Sequence, residues 1–295
     1  MSRTPPQPLI PVLALLVAAC FWGTVWYPLR WLELHGVNGL WTTLIAYVAS
    51  LPVLLLIGGR RVLELRRYPI AALALLFAVG WCNVAFVLAI IDGVVVRVLL
   101  LFYLSPVWTV LFGWLVLRER LHAGVGLLLL MAMIGSLFLL WEPGTGFVWP
   151  LPRADLLALT SGMGFALSNV LVRHMQEVTL TSKLLVSWVG VVLVAMAGIL
   201  VVGDPTPAVS GTVLGGVVAL GMAGFLVATY AVQYGVTHMP VQRSAVILLT
   251  ELVWGGVSAA WLAGEALGMR DYIGGGLILL AGYLVTLKQE QELNP

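Results

Sequence analysis

Charge is what this 295-residue sequence has least of: Asp, Glu, Lys and Arg make up 9% of it, against 61% hydrophobic residues and a mean hydropathy of +1.05. Soluble domains carry roughly a quarter charged residues, so a water-soluble globule is excluded. The net charge of +2 lacks the clustered cationic face that phosphate binding needs, and no nucleic-acid partner is expected. Cysteine is nearly absent: Cys20 and Cys82 fall inside apolar runs, which excludes a disulfide scaffold and reads as packing. The four His, at positions 35, 122, 174 and 238, all sit at the edges of apolar runs, leaving no buried base or metal ligand. There is no Walker loop, no His-Glu-x-x-His and no Gly-x-Ser-x-Gly, so neither an enzyme nor a cofactor is expected, and ATP cannot drive an activity from within this chain.

What is present is a series of apolar runs between short charge clusters, each of roughly bilayer-spanning length. Ten spans are read at 11–32, 39–57, 70–91, 94–116, 123–141, 155–173, 184–202, 212–236, 241–263 and 272–287. All are expected to be helices, because a span in lipid must satisfy its backbone internally. The first run, followed by Trp31 and Glu33 instead of a small-residue cleavage pattern, reads as a retained helix. The fold class is therefore an all-α polytopic membrane protein, with the lipid bilayer as its surroundings. The Pro- and Gly-containing stretch 142–154 divides the chain into halves, 1–141 and 155–295. Eleven of the 15 Lys and Arg fall on one side of the spans, and Arg30, Arg97, Arg153 and Arg270 on the other. That bias places both termini in the cytoplasm, and a bacterial inner membrane is the expected location.

Shifting one half onto the other by 146 residues pairs Arg97 with Arg243, Trp108 with Trp254 and Glu119 with Glu265. Each half has five spans, an odd number, so the halves face opposite ways. Inverted repeats of this kind characterise many secondary transporters, with the substrate site near the midplane at the repeat interface.

The segment Leu104-Ser105-Pro106-Val107-Trp108 running to Leu117-Arg118-Glu119-Arg120-Leu121, with its echo Glu251-Leu252-Val253-Trp254 running to Gly264-Glu265-Ala266-Leu267, resembles the two EamA repeats of the drug/metabolite transporter superfamily. Within it, Tyr103-Leu104-Ser105-Pro106 is most similar to amino-acid exporters of the YddG type. Leu252 departs from the Pro that often follows the Glu of the second repeat. The resemblance implies two inverted five-helix repeats, ten helices in all, around a central cavity walled by helices one to four and six to nine, and export of small metabolites.

Polar and aromatic residues inside the spans mark candidate substrate contacts. Glu251 stands out as the acid placed at mid-span, about 15 Å deep at 1.5 Å per residue. A lone carboxylate there costs roughly 2–3 kcal/mol or more, and such groups usually face a cavity or a partner. The alternative is a neutral Glu sharing a hydrogen bond with a neighbouring helix. Ser244, Ser258 and Trp254 share its span, while Trp22 and Trp26 lie one turn apart in the first. The third contributes Trp81 and Asn83, the fourth Tyr103, Ser105 and Trp108, the sixth Phe165, Ser168 and Asn169, and the eighth Tyr230 and Gln233. Each alone reads equally well as interhelical glue or a lipid-facing aromatic. Together they avoid helices five and ten, which suggests a lipid-facing role for those two. Trp114, Trp141, Trp149 and Trp261 read as interfacial anchors, and Pro28 and Pro106 as bends.

These features point to an alternating-access carrier for small amphipathic metabolites, with aromatic or other large neutral amino acids as the leading class. Facilitated diffusion is favoured over proton exchange, since no second acid or His stands at mid-membrane. Carriers of quaternary amines, drugs or nucleotide sugars are the alternative, and an intramembrane enzyme or packing subunit the more remote one. Oligomeric state stays open, a monomer included.

Overall fold

The computed structural model of the protein describes residues 9–118, 127, 130–135, 138, 141–142, 146–147, 151–238, 247–248, 250–265 and 267–293. The elements are α1 (Leu9–Thr24), α2 (Trp26–Leu34), α3 (Gly39–Gly58), α4 (Pro69–Asp92), α5 (Val95–Phe102) and α6 (Ser105–Leu117) in the first half. The second half has α7 (Arg153–His174), α8 (Leu180–Val202), α9 (Gly211–Ala219), α10 (Leu226–His238), α11 (Thr250–Ser258) and α12 (Met269–Leu293). A 3-10 segment, Gly59–Arg67, follows α3, and π-helical turns Leu220–Phe225 and Ala259–Ala263 follow α9 and α11. The inter-repeat loop adds a two-residue ladder, with β1 (Trp141–Glu142) antiparallel to β2 (Gly146–Phe147).

Among the described residues, seven helical stretches are long and apolar enough to cross a membrane, and they match spans one to four and six to eight. α11 with its π turn, and α12, stand where the ninth and tenth were expected. Most of the fifth span lies outside the described residues; residues 127, 130–135 and 138 of it are helical.

Proline explains two breaks. Pro28 lacks the N–H that would reach the Thr24 carbonyl, and the first span divides there into α1 and α2. Pro106 leaves the Phe102 carbonyl without its helical donor, and the fourth span divides into α5 and α6 with Tyr103 and Leu104 in the turn. That freed carbonyl lies against Gly162 of α7, where an added Cβ would stand 2.8 Å from it. Gly162 therefore lets α7 approach the break.

Polar contacts define two faces of the bundle. On the first, Arg97 chelates Asp155 with Nε–Oδ1 of 3.0 Å and Nη2–Oδ2 of 2.7 Å. Also there, Asn38 donates to Asp204 at 2.9 Å, and Arg30 pairs with Glu265 at 3.4 Å. On the second face, the Thr179 backbone donates to Glu64 at 2.9 Å and Arg67 lies 3.7 Å from Glu177. The first span of the first half ends at Arg30 on the first face, whereas the first span of the second half, α7, begins there at Asp155. Equivalent spans therefore run in opposite directions, as an inverted repeat requires.

The halves interlock: α4 packs on α7 and α8, α3 on α8, and α1 on α10 and α11. Leu15, Leu29, Ile90, Leu99 and Phe225 are fully buried at these crossings, while Leu56, Ile70, Leu200 and Val201 are largely exposed on the apolar outer surface. Trp114 and Trp261 are exposed on the outer surface; Trp149 lies outside the described residues.

Candidate functional site

Between the halves lies a cavity of about 370 Å³. Aromatic rings form much of its wall. Trp22 of α1 stacks on Phe225 with centroids 5.7 Å apart and planes 24° from parallel. Tyr47 of α3 bridges Phe225 at 5.4 Å and Trp188 of α8 at 5.1 Å. Phe102, at the Pro106 break, meets Phe86 and Phe165, each at 5.3 Å. Rings packed at these separations hold one another in place and present apolar area with little side-chain freedom left to lose.

The polar lining is sparse and mostly anchored. The break at Pro106 turns Tyr103 out of regular helix, and its hydroxyl stands 3.0 Å from Glu251 Oε2 and 3.2 Å from the Leu248 carbonyl. Glu251 is 9% exposed. Its helix is seated by Gly23 of α1, where a Cβ would come within 2.4 Å of the Glu251 carbonyl, so a side chain there would push α11 away. The Tyr47 hydroxyl donates to Asn83 Oδ1, and Asn83 Nδ2 donates to the Val79 carbonyl at 3.0 Å. Trp188 Nε1 donates to Ser50 Oγ at 2.9 Å. Asn169 lines the cavity without a hydrogen-bond partner among the described residues.

Eight sequence-nominated residues line this cavity: Trp22, Asn83, Tyr103, Ser105, Phe165, Ser168, Asn169 and Glu251. Six do not. Trp26 is 3% exposed but lies beyond the break after Thr24, where its Nε1 donates to Ser258 Oγ at 2.9 Å, which takes Ser258 out of the cavity as well. Trp108, one turn after Ser105 on α6, packs on the hydrophobic core and does not line the cavity. Trp81, Tyr230 and Trp254 are 45%, 64% and 43% exposed on the outer surface. Ser244 and the side chain of Gln233 lie outside the described residues.

Helix ten corrects a further expectation, since Ile278, Leu279 and Tyr283 of α12 face the cavity instead of lipid alone. Sequence reasoning also missed Tyr47, Trp188 and Lys183. Lys183 was counted with the cytoplasmic edge because it stands close to a span end, yet it is 7% exposed and part of the wall.

The cavity reaches the second face, where Val172 and Leu180 border the turn between α7 and α8. Glu64 clasps that turn: the Thr179 backbone N–H, with smaller help from the Thr179 hydroxyl and Arg61, holds the Glu64 carboxyl below the usual carboxylate range. At the first face the site is shut. Arg30 Nη2 donates to the Gly93 carbonyl, its guanidinium lies 5.1 Å over the Trp26 ring, and Glu265 Oε1 also accepts from the Val95 backbone at 3.1 Å. No group of three or more His, Cys, Asp or Glu that could hold a metal ion occurs among the described residues.

Comparison with known proteins agrees with this architecture. The model of the EamA-like transporter family matches residues 9–141 and again 152–287, and the chain belongs to that family of integral membrane transporters. No curated protein matches. A solved crystal structure is similar at 20% identity with a TM-score of 0.61, covering 97% of this chain and 98% of the other; at that identity it shows the shared fold.

Proposed function

We propose that this protein exports small amphipathic metabolites by alternating access, with aromatic and other large neutral amino acids as its cargo. The observation that carries the reading is the cavity itself: tightly packed rings around Trp22 and Phe102, with a minority of polar groups among them, including Asn83, Tyr103, Asn169, Lys183 and Glu251. Apolar walls with a small number of placed polar groups suit a solute with a large side chain and a polar head. With both termini cytoplasmic, the second face is the inner one. Cargo then enters from the cytoplasm, and release requires the Arg30–Glu265 closure to part.

Glu251 is the acid in the cavity wall among the described residues, which favours facilitated movement over a proton relay. A carboxylate among aromatic rings also favours a second reading, a carrier of organic cations held by cation–π contact. Purified protein in proteoliposomes decides between them. Saturable counterflow of radiolabelled phenylalanine or leucine, lost in Trp22→Ala and Tyr103→Ala, is expected. Counterflow of tetraethylammonium without any amino acid transfers the reading to the cation carrier. Amino-acid flux unchanged in both variants removes the cavity as the route.

A further inference from the structure

The cavity holds one charged group that the proposed exporter does not yet use. Lys183 lies three residues into α8, about 5 Å from its start. It is 7% exposed, in the wall beside Val172, Leu184 and Ser187. Its ammonium donates to the Val172 carbonyl at 3.0 Å, and no acidic side chain pairs with it among the described residues. The nearby acids are taken: Glu64 by the Thr179 N–H and Glu177 by Arg67. Glu251 bonds Tyr103 at the Pro106 break, deeper in the bundle.

Val172 is in the last turn of α7, whose carbonyls have no helical donors, so part of what Lys183 does is to cap that helix. A cap uses one of three ammonium protons and needs no charge. An ammonium held in low-dielectric surroundings without a counter-ion is costly, and evolution has a neutral donor available for capping alone. Two donors are left on the cavity wall, and Asn169, three residues before Val172 on the same helix, has its amide unpartnered. Ser187 Oγ spends its proton on the Lys183 carbonyl at 2.8 Å, leaving its oxygen as an acceptor.

We propose that Lys183 binds the anionic group of the cargo, a carboxylate, at the second-face end of the cavity. The inference rests on the exporter reading and gives its cargo a direction. Lys183 stands near the second face and Glu251 far inside, so a bipolar solute travels ammonium first with its carboxylate trailing at Lys183. The lysine is thus a determinant of substrate class, separating carboxylates from amides and amines of the same size.

Four probes share one ring and differ in charge: phenylalanine, phenylalaninamide, phenethylamine and 3-phenylpropionate. They are compared by counterflow competition and thermal shift on wild type, Lys183→Gln, which keeps a donor for the Val172 carbonyl, and Lys183→Arg, which keeps the charge. The wild type is expected to prefer phenylalanine to its amide by about tenfold or more, the scale of one hydrogen bond to a charged group. Lys183→Gln brings the two within about twofold and leaves phenethylamine unchanged, while Lys183→Arg retains the preference. A preference unchanged in Lys183→Gln overturns the inference while leaving the exporter standing. Binding of 3-phenylpropionate alone, lost in Lys183→Gln, keeps the inference and removes amino acids as cargo. No binding of either carboxylate by the wild type overturns it. Should Lys183→Gln fail to fold, acylation of Lys183 in the wild type is followed by mass spectrometry: protection by 3-phenylpropionate and not by phenethylamine supports the inference, and equal acylation overturns it.

Discussion

Two ion pairs on the same face of this bundle are built to different standards. Arg97 and Asp155 form a near-complete chelate across the repeats, with side chains 12% and 5% exposed. Arg30 and Glu265 meet by a single 3.4 Å contact, and Arg30 Nε and Glu265 Oε2 are buried with no partner among the described residues. Buried polar atoms left unmatched cost free energy that a matched pair does not. The first pair fastens α5 to α7 in this conformation; the second joins the first span, the Gly93 turn and the end of the ninth span by a looser contact, and the proposed transport cycle needs it to part. A third pair, Arg67–Glu177 on the second face, is 74% and 67% exposed and contributes to neither role.

Substitutions rank these pairs. Arg97→Ala strands the buried Asp155 carboxylate and is expected to cost about 3–5 kcal/mol, seen as a large fall in the thermal unfolding midpoint in detergent. Arg97→Lys, unable to chelate, falls between. A stable Arg97→Ala protein dissolves the distinction. Glu265→Gln is expected to act on conformation more than on stability. With Cys20 and Cys82 replaced, labelling of Ser258→Cys by an impermeant thiol reagent rises about 5- to 30-fold, the effect of 1–2 kcal/mol. Labelling equal to the parent's would make this pair a second permanent fastening. Arg67→Ala stays within about 1 kcal/mol of wild type and leaves labelling alone.

The smallest effect concerns acid. The Glu64 carboxyl titrates below its unfolded value, so what it contributes is present above the ordinary carboxylate range and lost as pH falls through its lower folded value. Hydrogen exchange at Thr179 is expected to quicken on that descent, and Glu64→Gln to exchange fast at every pH. Slow exchange in Glu64→Gln would show that the turn holds without the clasp.

How far the site was legible follows from the same chemistry. Glu251, Tyr103 and Asn83 could be picked out because a polar group within a span needs a reason to be there. Trp26, Trp81, Trp108, Tyr230 and Trp254 could not be sorted, since an aromatic ring is equally at home in a wall, a core or lipid. Lys183 was hidden by nearness to a span end, where a lysine ordinarily reaches out to water. Tyr47 and Trp188 carried no mark at all, and their partners Asn83 and Ser50 lie 36 and 138 residues away.

The scarcity of charge alone determined that this chain lives in a bilayer, where its spans fall, and that its halves are inverted, because charges cannot lie within lipid and an odd number of spans must reverse the second half. Which side of each helix meets cavity, core or lipid was decided only by tertiary structure. In water an amphipathic stripe announces the buried face. In a bilayer the outer face is as apolar as the core, so the periodicity that would reveal orientation is erased, and packing of helix on helix has to supply it.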